Sequence, residues 1–204
     1  MKIKKIKLDK MRHIVYFSKS AVTSGKALAE NTLMNAGRMD IAIHTIIAGF
    51  FLSHSFREDV KMHLVFYGQP DPPKHIEISI TPELEISKKD IGNLIKKILY
   101  KYREGKKIEP LPGCFIEKKS FLRVIEELSE KGNEIFILEK NGEDIRNLKI
   151  GKNPVFIIGD HEGLPKKEMK RLKKIAKSVS IGPKTYFASQ TIAILNNEID
   201  RRNI

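Results

Sequence analysis

Short apolar runs of strand length alternate along this chain with segments whose apolar residues recur at helical spacing. That alternation constrains the fold more than any other feature, because it is the pattern of an α/β unit in which helices flank a largely parallel sheet. The strand-like runs are His13–Phe17, Lys61–Tyr67, Ile76–Ile80, Glu134–Leu138, Val155–Ile158 and Val179–Ile181. Between them Phe121, Val124, Ile125 and Leu128 fall at i, i+3, i+4 and i+7, with Ser120 placed as N-cap and Gly132 as the stop. The last segment sets Ala188, Ile192, Leu195 and Ile199 on one side of a helix. A further helix from about Ile41 to Leu52 is apolar nearly all round, which predicts burial against two partners. Gly68–Pro73 and Gly105–Gly113 read as loops too short to be interdomain linkers, so residues 1–204 read as one domain.

Charge narrows the partner. The 204 residues carry 38 Lys+Arg against 25 Asp+Glu, a formal net charge of +13. Such an excess suits a polyanion, since neutralising phosphates releases counterions, although a solvated lysine-rich surface has the same composition. The basic residues are bunched. Lys2, Lys4, Lys5, Lys7, Lys10 and Arg12 lie in the first twelve positions, and another six fall between Lys166 and Lys174. One cysteine, Cys114, excludes an internal disulfide and reads as a core or surface thiol. The apolar run Ile41–Leu52 is far short of the ~20 residues that span a bilayer, and the lysine-rich start has no signal-peptide core behind it. A cytoplasmic protein with no membrane association is expected.

The motifs for a dinucleotide fold, a P-loop and a cysteine zinc site are missing from the sequence. The six histidines are scattered without an i, i+4 pair, and read as surface or satisfied core groups, so no metal is expected. Two loops stand out, Phe156–Pro165 and Ser180–Phe187, each following a strand and each with glycine at the turn. Glycines there would let a ligand such as an adenine ring meet backbone N–H and C=O groups, though ordinary strand-to-helix turns look alike. In Asn35–Asp40, Asp40 is placed to cap the following helix, or to form with Arg38 a pair in which the carboxylate accepts a proton and the guanidinium holds an anion.

Taken together, Gly37-Arg38-Met39-Asp40, Phe50-Phe51-Leu52-Ser53-His54, Leu64–Gly68 with Pro70-Asp71-Pro72-Pro73, the Gly159–Pro165 loop, and Ile181-Gly182-Pro183 leading to Asn197–Arg201 resemble a known family. It is that of the archaeal tRNA pseudouridine-54 N1-methyltransferases, members of the SPOUT class of S-adenosylmethionine-dependent enzymes, and the match runs over nearly the whole chain. The resemblance implies a sheet whose C-terminal segment passes through a loop to form a deep trefoil knot. It implies S-adenosylmethionine held mostly by backbone, with Leu138, Gly159, Ile181, Gly182, Thr185 and Phe187 around it and the adenine between Leu138 and Ile181. It gives Asp40 the role of base or acceptor at the substrate N–H, and Arg38 that of stabilising the developing anion or gripping a phosphate. Some members of the family carry cysteine just after the Ser180–Phe187 loop; Thr191 stands near that point here, so thiol chemistry is not expected there.

The implied partners are tRNA and a second copy of the chain, the homodimer being further motivated by the two apolar helices. Two alternatives stand beside this reading. One is a related enzyme acting on ribosomal RNA or a ribose 2′-hydroxyl, which the Arg38/Asp40 pair disfavours for ribose; the other is a basic RNA-binding protein without catalysis.

Overall fold

The computed structural model describes residues 10–203. In chain order the elements are β1 (Arg12–Ser18), α1 (Gly25–Glu30), α2 (Met39–Phe50), β2 (Val60–Phe66), β3 (Lys74–Ser79), α3 (Ile91–Tyr100), β4 (Ile108–Leu111), β5 (Cys114–Glu117), α4 (Phe121–Glu130), β6 (Ile135–Asp144), β7 (Val155–Gly159), α5 (Lys166–Leu172), β8 (Ala176–Ser180) and α6 (Ala188–Arg202). The strands form one eight-stranded sheet in the order β4-β5-β3-β2-β1-β7-β6-β8. From β2 to β8 neighbouring strands are parallel, and the β2-β3-β5-β4 extension is antiparallel.

Strand alternation sorts the core into two layers. Ile14 and Tyr16 of β1 face a cluster built with α2, α3 and α6, whereas Val15 and Phe17 face α4 and the end of α5. Each fully buried Ile or Phe contributes roughly 1.5–3 kcal/mol by leaving water, so both faces of the sheet are stabilised mainly by burial. The expected burial of the apolar helix is met: α2 buries Met39, Ala42, Ile43, Ile46 and Phe50 and packs against α6, α3 and the sheet. Ser120 caps α4 by accepting from the Arg123 N–H at 3.4 Å, and Gly132 follows its last turn at φ 81°.

Three expectations need correction. The segment Gly105–Gly113 is not only loop, since Ile108–Leu111 forms the edge strand β4. Glu109 and Pro110 broke its apolar pattern, and an edge is where proline is tolerated in a sheet. β5, four residues long, was also missed, and it carries Cys114, which is fully buried with its thiol pushed up to about 12 by burial. The third concerns Arg12, grouped above with the residues available to a polyanion. Its side chain is buried, with a nitrogen 2.5 Å from Asp59 and another 3.0 Å from Asp200, and it donates to Asn196 Oδ1 at 3.2 Å. Lys2, Lys4, Lys5 and Lys7 lie outside the described residues. Among the described residues no helix is long and apolar enough to cross a membrane.

Candidate active site

Parallel strands bring their C-terminal ends to one edge, and here residues 137–140 of β6 and the loops leaving β7 and β8 meet the first turns of α2 and α6 around a cavity of about 800 Å³. All eight residues proposed from the sequence line it: Arg38, Asp40, Leu138, Gly159, Ile181, Gly182, Thr185 and Phe187. β8 ends at Ser180, so Ile181 begins the loop and does not close the strand as expected. Thr191, buried on the first turn of α6, completes that wall.

The approach to α2 is shaped by backbone. Gly37 has φ 69°, and a Cβ there would fall 1.8 Å from the Ser20 carbonyl oxygen, so only glycine fits this turn. Arg38 follows with φ 59°, a left-handed conformation that is uncommon and costly for a residue with a side chain. Arg38 itself occupies the N-cap of α2 and makes no side-chain cap bond. Asp40 is therefore not the cap. It lies in the first turn, where the helix dipole favours a negative charge, and turns its carboxylate back to the guanidinium. Nε of Arg38 donates to Oδ1 and a terminal nitrogen to Oδ2, each at 3.0 Å. This two-point bond holds the Asp40 carboxyl below the usual carboxylate range, against the opposing pull of desolvation, and raises the guanidinium.

The glycine loops have a different character. A Cβ on Gly159 would fall 2.6 Å from the Gly163 carbonyl carbon, so the turn after β7 closes on bare backbone. Gly182, at φ 151°, would set a Cβ 2.9 Å from the Tyr186 hydroxyl. Leu138, Ile158, Ile181 and Leu164 supply apolar wall beside these exposed backbone groups. Such a surface fits a flat heteroaromatic ring held by its edge, as the adenine of S-adenosylmethionine requires.

Sequence reasoning assigned no role to two groups on this wall. Asp160 is nearly buried, with Ser18 Oγ donating to one oxygen at 2.6 Å and the Glu162 N–H to the other at 2.8 Å, which ties the end of β1 to the loop after β7. His44 lies one helical turn beyond Asp40 on the same cavity, a placement its i+4 spacing could have signalled.

The strand order and the cavity beyond the ends of the parallel strands define an open α/β fold of the kind that takes up ligands at its strand ends. Residues 11–204 match the family described as "Putative SAM-dependent RNA methyltransferase", and the chain belongs to that family. It is 36% identical to the tRNA (pseudouridine(54)-N(1))-methyltransferase of Methanococcoides burtonii over 94% of this chain and 96% of that one. It is 33% identical to the Methanocaldococcus jannaschii protein of the same name over 95% and 98%. Among solved structures it superposes on Archaeoglobus fulgidus Nep1 bound to S-adenosylhomocysteine with a TM-score of 0.64 at 14% identity, covering 95% of this chain and 99% of that one.

If the Arg38 pairing is what depresses the Asp40 carboxyl, Arg38→Gln should move its titration upward. Carbonyl-detected NMR between pH 2 and 6 measures this directly, and an unmoved midpoint would assign the depression to the helix terminus instead.

Proposed function

We propose that this protein methylates N1 of pseudouridine 54 in tRNA, using S-adenosylmethionine as methyl donor. The observation that carries this reading is the 33–36% identity, over nearly the full length of both chains, to two enzymes of that name. The cavity supports it by presenting a carboxylate–guanidinium pair and two glycine-bearing loops to the same space.

S-adenosylmethionine, when bound, supplies a methyl group already activated on a sulfonium. What remains for the chain is alignment of donor and acceptor and removal of one proton. In this reading Leu138 and Ile181 flank the adenine, Gly159, Gly182 and Thr185 meet the donor through their loops, and Phe187 closes the rim. Asp40 accepts the N1–H of the pseudouridine. An imide-like N–H is a poor nucleophile until its proton is shared, so the acceptor must be ionised and aimed; the Arg38 bond secures both, at the expense of basicity. Arg38 is part-exposed, and its transfer to an RNA phosphate would release Asp40 and raise its basicity as substrate arrives. The acceptor base must leave its stack to reach the cavity, which a tRNA loop permits at low cost. The exposed Lys166, Lys167, Lys170 and Lys174 on and after α5 suit the tRNA backbone.

The same reading includes the knot. Leu138 and Glu143 both register with Val179, and a Cβ on Gly142 would fall 2.4 Å from the Val179 nitrogen, so residues 139–142 lie directly against β8. That close crossing is what a threaded C-terminal segment needs. A cytoplasmic homodimer completes the proposal. Met34 and Phe187, 62% and 78% exposed, flank the approaches to α2 and α6 and are apolar surface a second copy could cover.

Methylation should be read by incubating the protein with labelled S-adenosylmethionine and unmodified tRNA and mapping the product by mass spectrometry. A label anywhere but N1 of nucleotide 54 would sink the assignment. In single-turnover assays Asp40→Asn is expected to slow transfer about 10²–10⁴-fold with donor affinity intact, the range for a positioned proton acceptor. A rate within a few-fold of the parent would leave Asp40 a structural partner of Arg38.

Gly182→Val adds a β-branched side chain where backbone meets the donor and Tyr186 already crowds. Calorimetry should show S-adenosylmethionine binding lost while circular dichroism shows the protein still folded; unchanged affinity would remove the loop after β8 from the site. Light scattering should return about twice the 23.3 kDa chain mass, and a monomer mass at micromolar protein would refute the dimer.

A further inference from the structure

Three histidines that are far apart in sequence meet on the sheet face that carries Val15 and Phe17, away from the cavity. His63 of β2 registers with Glu77 of β3, and His75 of β3 with Glu117 of β5. His13 Nδ1 lies 3.0 Å from His63 Nε2, His63 Nδ1 lies 3.0 Å from His75 Nε2, and His75 Nδ1 lies 3.1 Å from Glu117 Oε1. The rings stack, with centroids 5.3 Å and 5.2 Å apart. His63 and His75 are 3% and 2% exposed. One donor atom from each of His63, His75 and Glu77 lies within 4.8 Å of the other two. Methyl transfer has no use for this group, and nothing in core packing calls for imidazoles where Val or Leu would serve.

We propose that His63 Nδ1, His75 Nε2 and a Glu77 carboxylate oxygen form a binding site for a divalent first-row transition-metal ion, with zinc the ion whose preferences fit best. Two imidazoles and a carboxylate are a recurrent zinc donor set, completed by solvent. Tetrahedral bonds of about 2.0–2.1 Å place ligand atoms about 3.3 Å apart. The two ring nitrogens, 3.0 Å apart across a shared hydrogen, already lie at nearly that spacing, and a small ring tilt turns both toward an ion beside the line between them. Glu77 comes from the strand position directly beside His63 and needs only side-chain rotation. The outer partners are also in place. His75 can keep its Nδ1–H on Glu117, itself fixed by Lys119 Nζ at 2.8 Å, which is the carboxylate–histidine–metal arrangement that orients a ligand ring.

The protons balance. With all three rings neutral and Glu117 ionised, each histidine carries its proton on Nδ1 and donates along the run toward Glu117. An ion on His63 Nδ1 requires that ring's proton on Nε2, where His13 Nδ1 accepts it, and His13 then carries its own on Nε2. Each ring stays neutral and none is lost to solvent. The competing group is the Lys107 ammonium, 2.6 Å from Glu77 Oε1. Its side chain is 41% exposed and 3.9 Å from Glu117, so it can release Glu77 without being buried unpaired.

The test uses the full chain, stripped with chelator and titrated with zinc chloride by calorimetry, with cobalt(II) as a visible probe of tetrahedral coordination. One equivalent should bind, raise the thermal midpoint and give the intense d–d bands of a tetrahedral cobalt site. Glu77→Gln, which keeps the side chain's size and its acceptor for Lys107, should weaken binding at least tenfold in a protein whose circular dichroism matches the parent. Lys107→Met should tighten it by a similar factor. Glu117→Gln, which touches no metal, should weaken it by about 10–100-fold, as loss of an outer partner does. Absence of binding, or binding that none of these three variants alters, would overturn the proposal. Methyl transfer by the Glu77→Gln protein should match the parent, since the site lies outside the cavity.

Discussion

The parallel pairing of β1 with β2 on one side and β7 on the other is the constraint on which the rest of the structure depends. β1 is one of the two central strands of the sheet and is buried on both faces. The chain leaves it first toward β2 and later returns on its other flank as β7, so the crossovers diverge from β1 and leave a crevice beyond the strand ends. That crevice is where open α/β sheets bind ligands, and it is where the cavity lies. Ser18 closes β1, and its hydroxyl bond to Asp160 fixes the loop after β7 at the floor of the crevice. An antiparallel centre would have sent these loops to opposite edges, and no single cavity could have gathered them.

What the sequence made legible follows from where the patterns are local. β1, β2, β7, α4 and α6 were found within a residue or two, because their apolar periods are long and their caps sit next to them. β4 and β5 were lost because four residues are too few to show a period, and Pro110 argued against a strand that only its edge position permits. The Arg38/Asp40 pair and the two glycine loops stood out in the residues themselves and the individual roles came from resemblance, but their meeting around one cavity is a property of strand order that no spacing reveals. Asp40 as a helix cap failed for a specific reason: nothing in Gly37-Arg38-Met39-Asp40 announces that Arg38 takes the left-handed conformation and the cap position with it. The histidine run was invisible for the same reason as the cavity. Its members are neighbours only across strands, where i, i+4 searches do not look.

Electrostatics divides the charged groups into those that position and those left free. Arg12 is buried among Asp59, Asp200 and Asn196, and Asn196 Nδ2 also donates to the carbonyls of Ala48 and Gly49. Such a node adds little net stability, because desolvating a guanidinium offsets most of its Coulomb gain. What it adds is geometry, since each member satisfies groups on a different element and only one arrangement of β1, α2 and α6 satisfies all of them. Arg38 is the opposite case. Its side chain is part-exposed and pairs with Asp40 two residues on, while its left-handed backbone sets the entry into α2.

The position of α6 shows how the two kinds of group work together. At ~1.5 Å per residue its fifteen residues span about 22 Å, from the cavity at Ala188 and Thr191 to the far side of the domain. Its first turn has no side-chain acceptor at the N-cap; Phe187 N–H is satisfied by Gln190 Oε1 at 3.1 Å, so this end is held lightly. Its last turn is held firmly. Asp200 receives Arg12 and Arg57, Glu198 receives Arg146 at 3.1 Å, and Arg202 donates to the carbonyls of Leu148 and Ile145 at 2.8 and 2.5 Å. The polar ties at the C-terminal end fix where the helix axis points, and burial of Thr191 and Ile192 seats the first turns against the core, so the helix carries the cavity wall at one end from an anchor at the other.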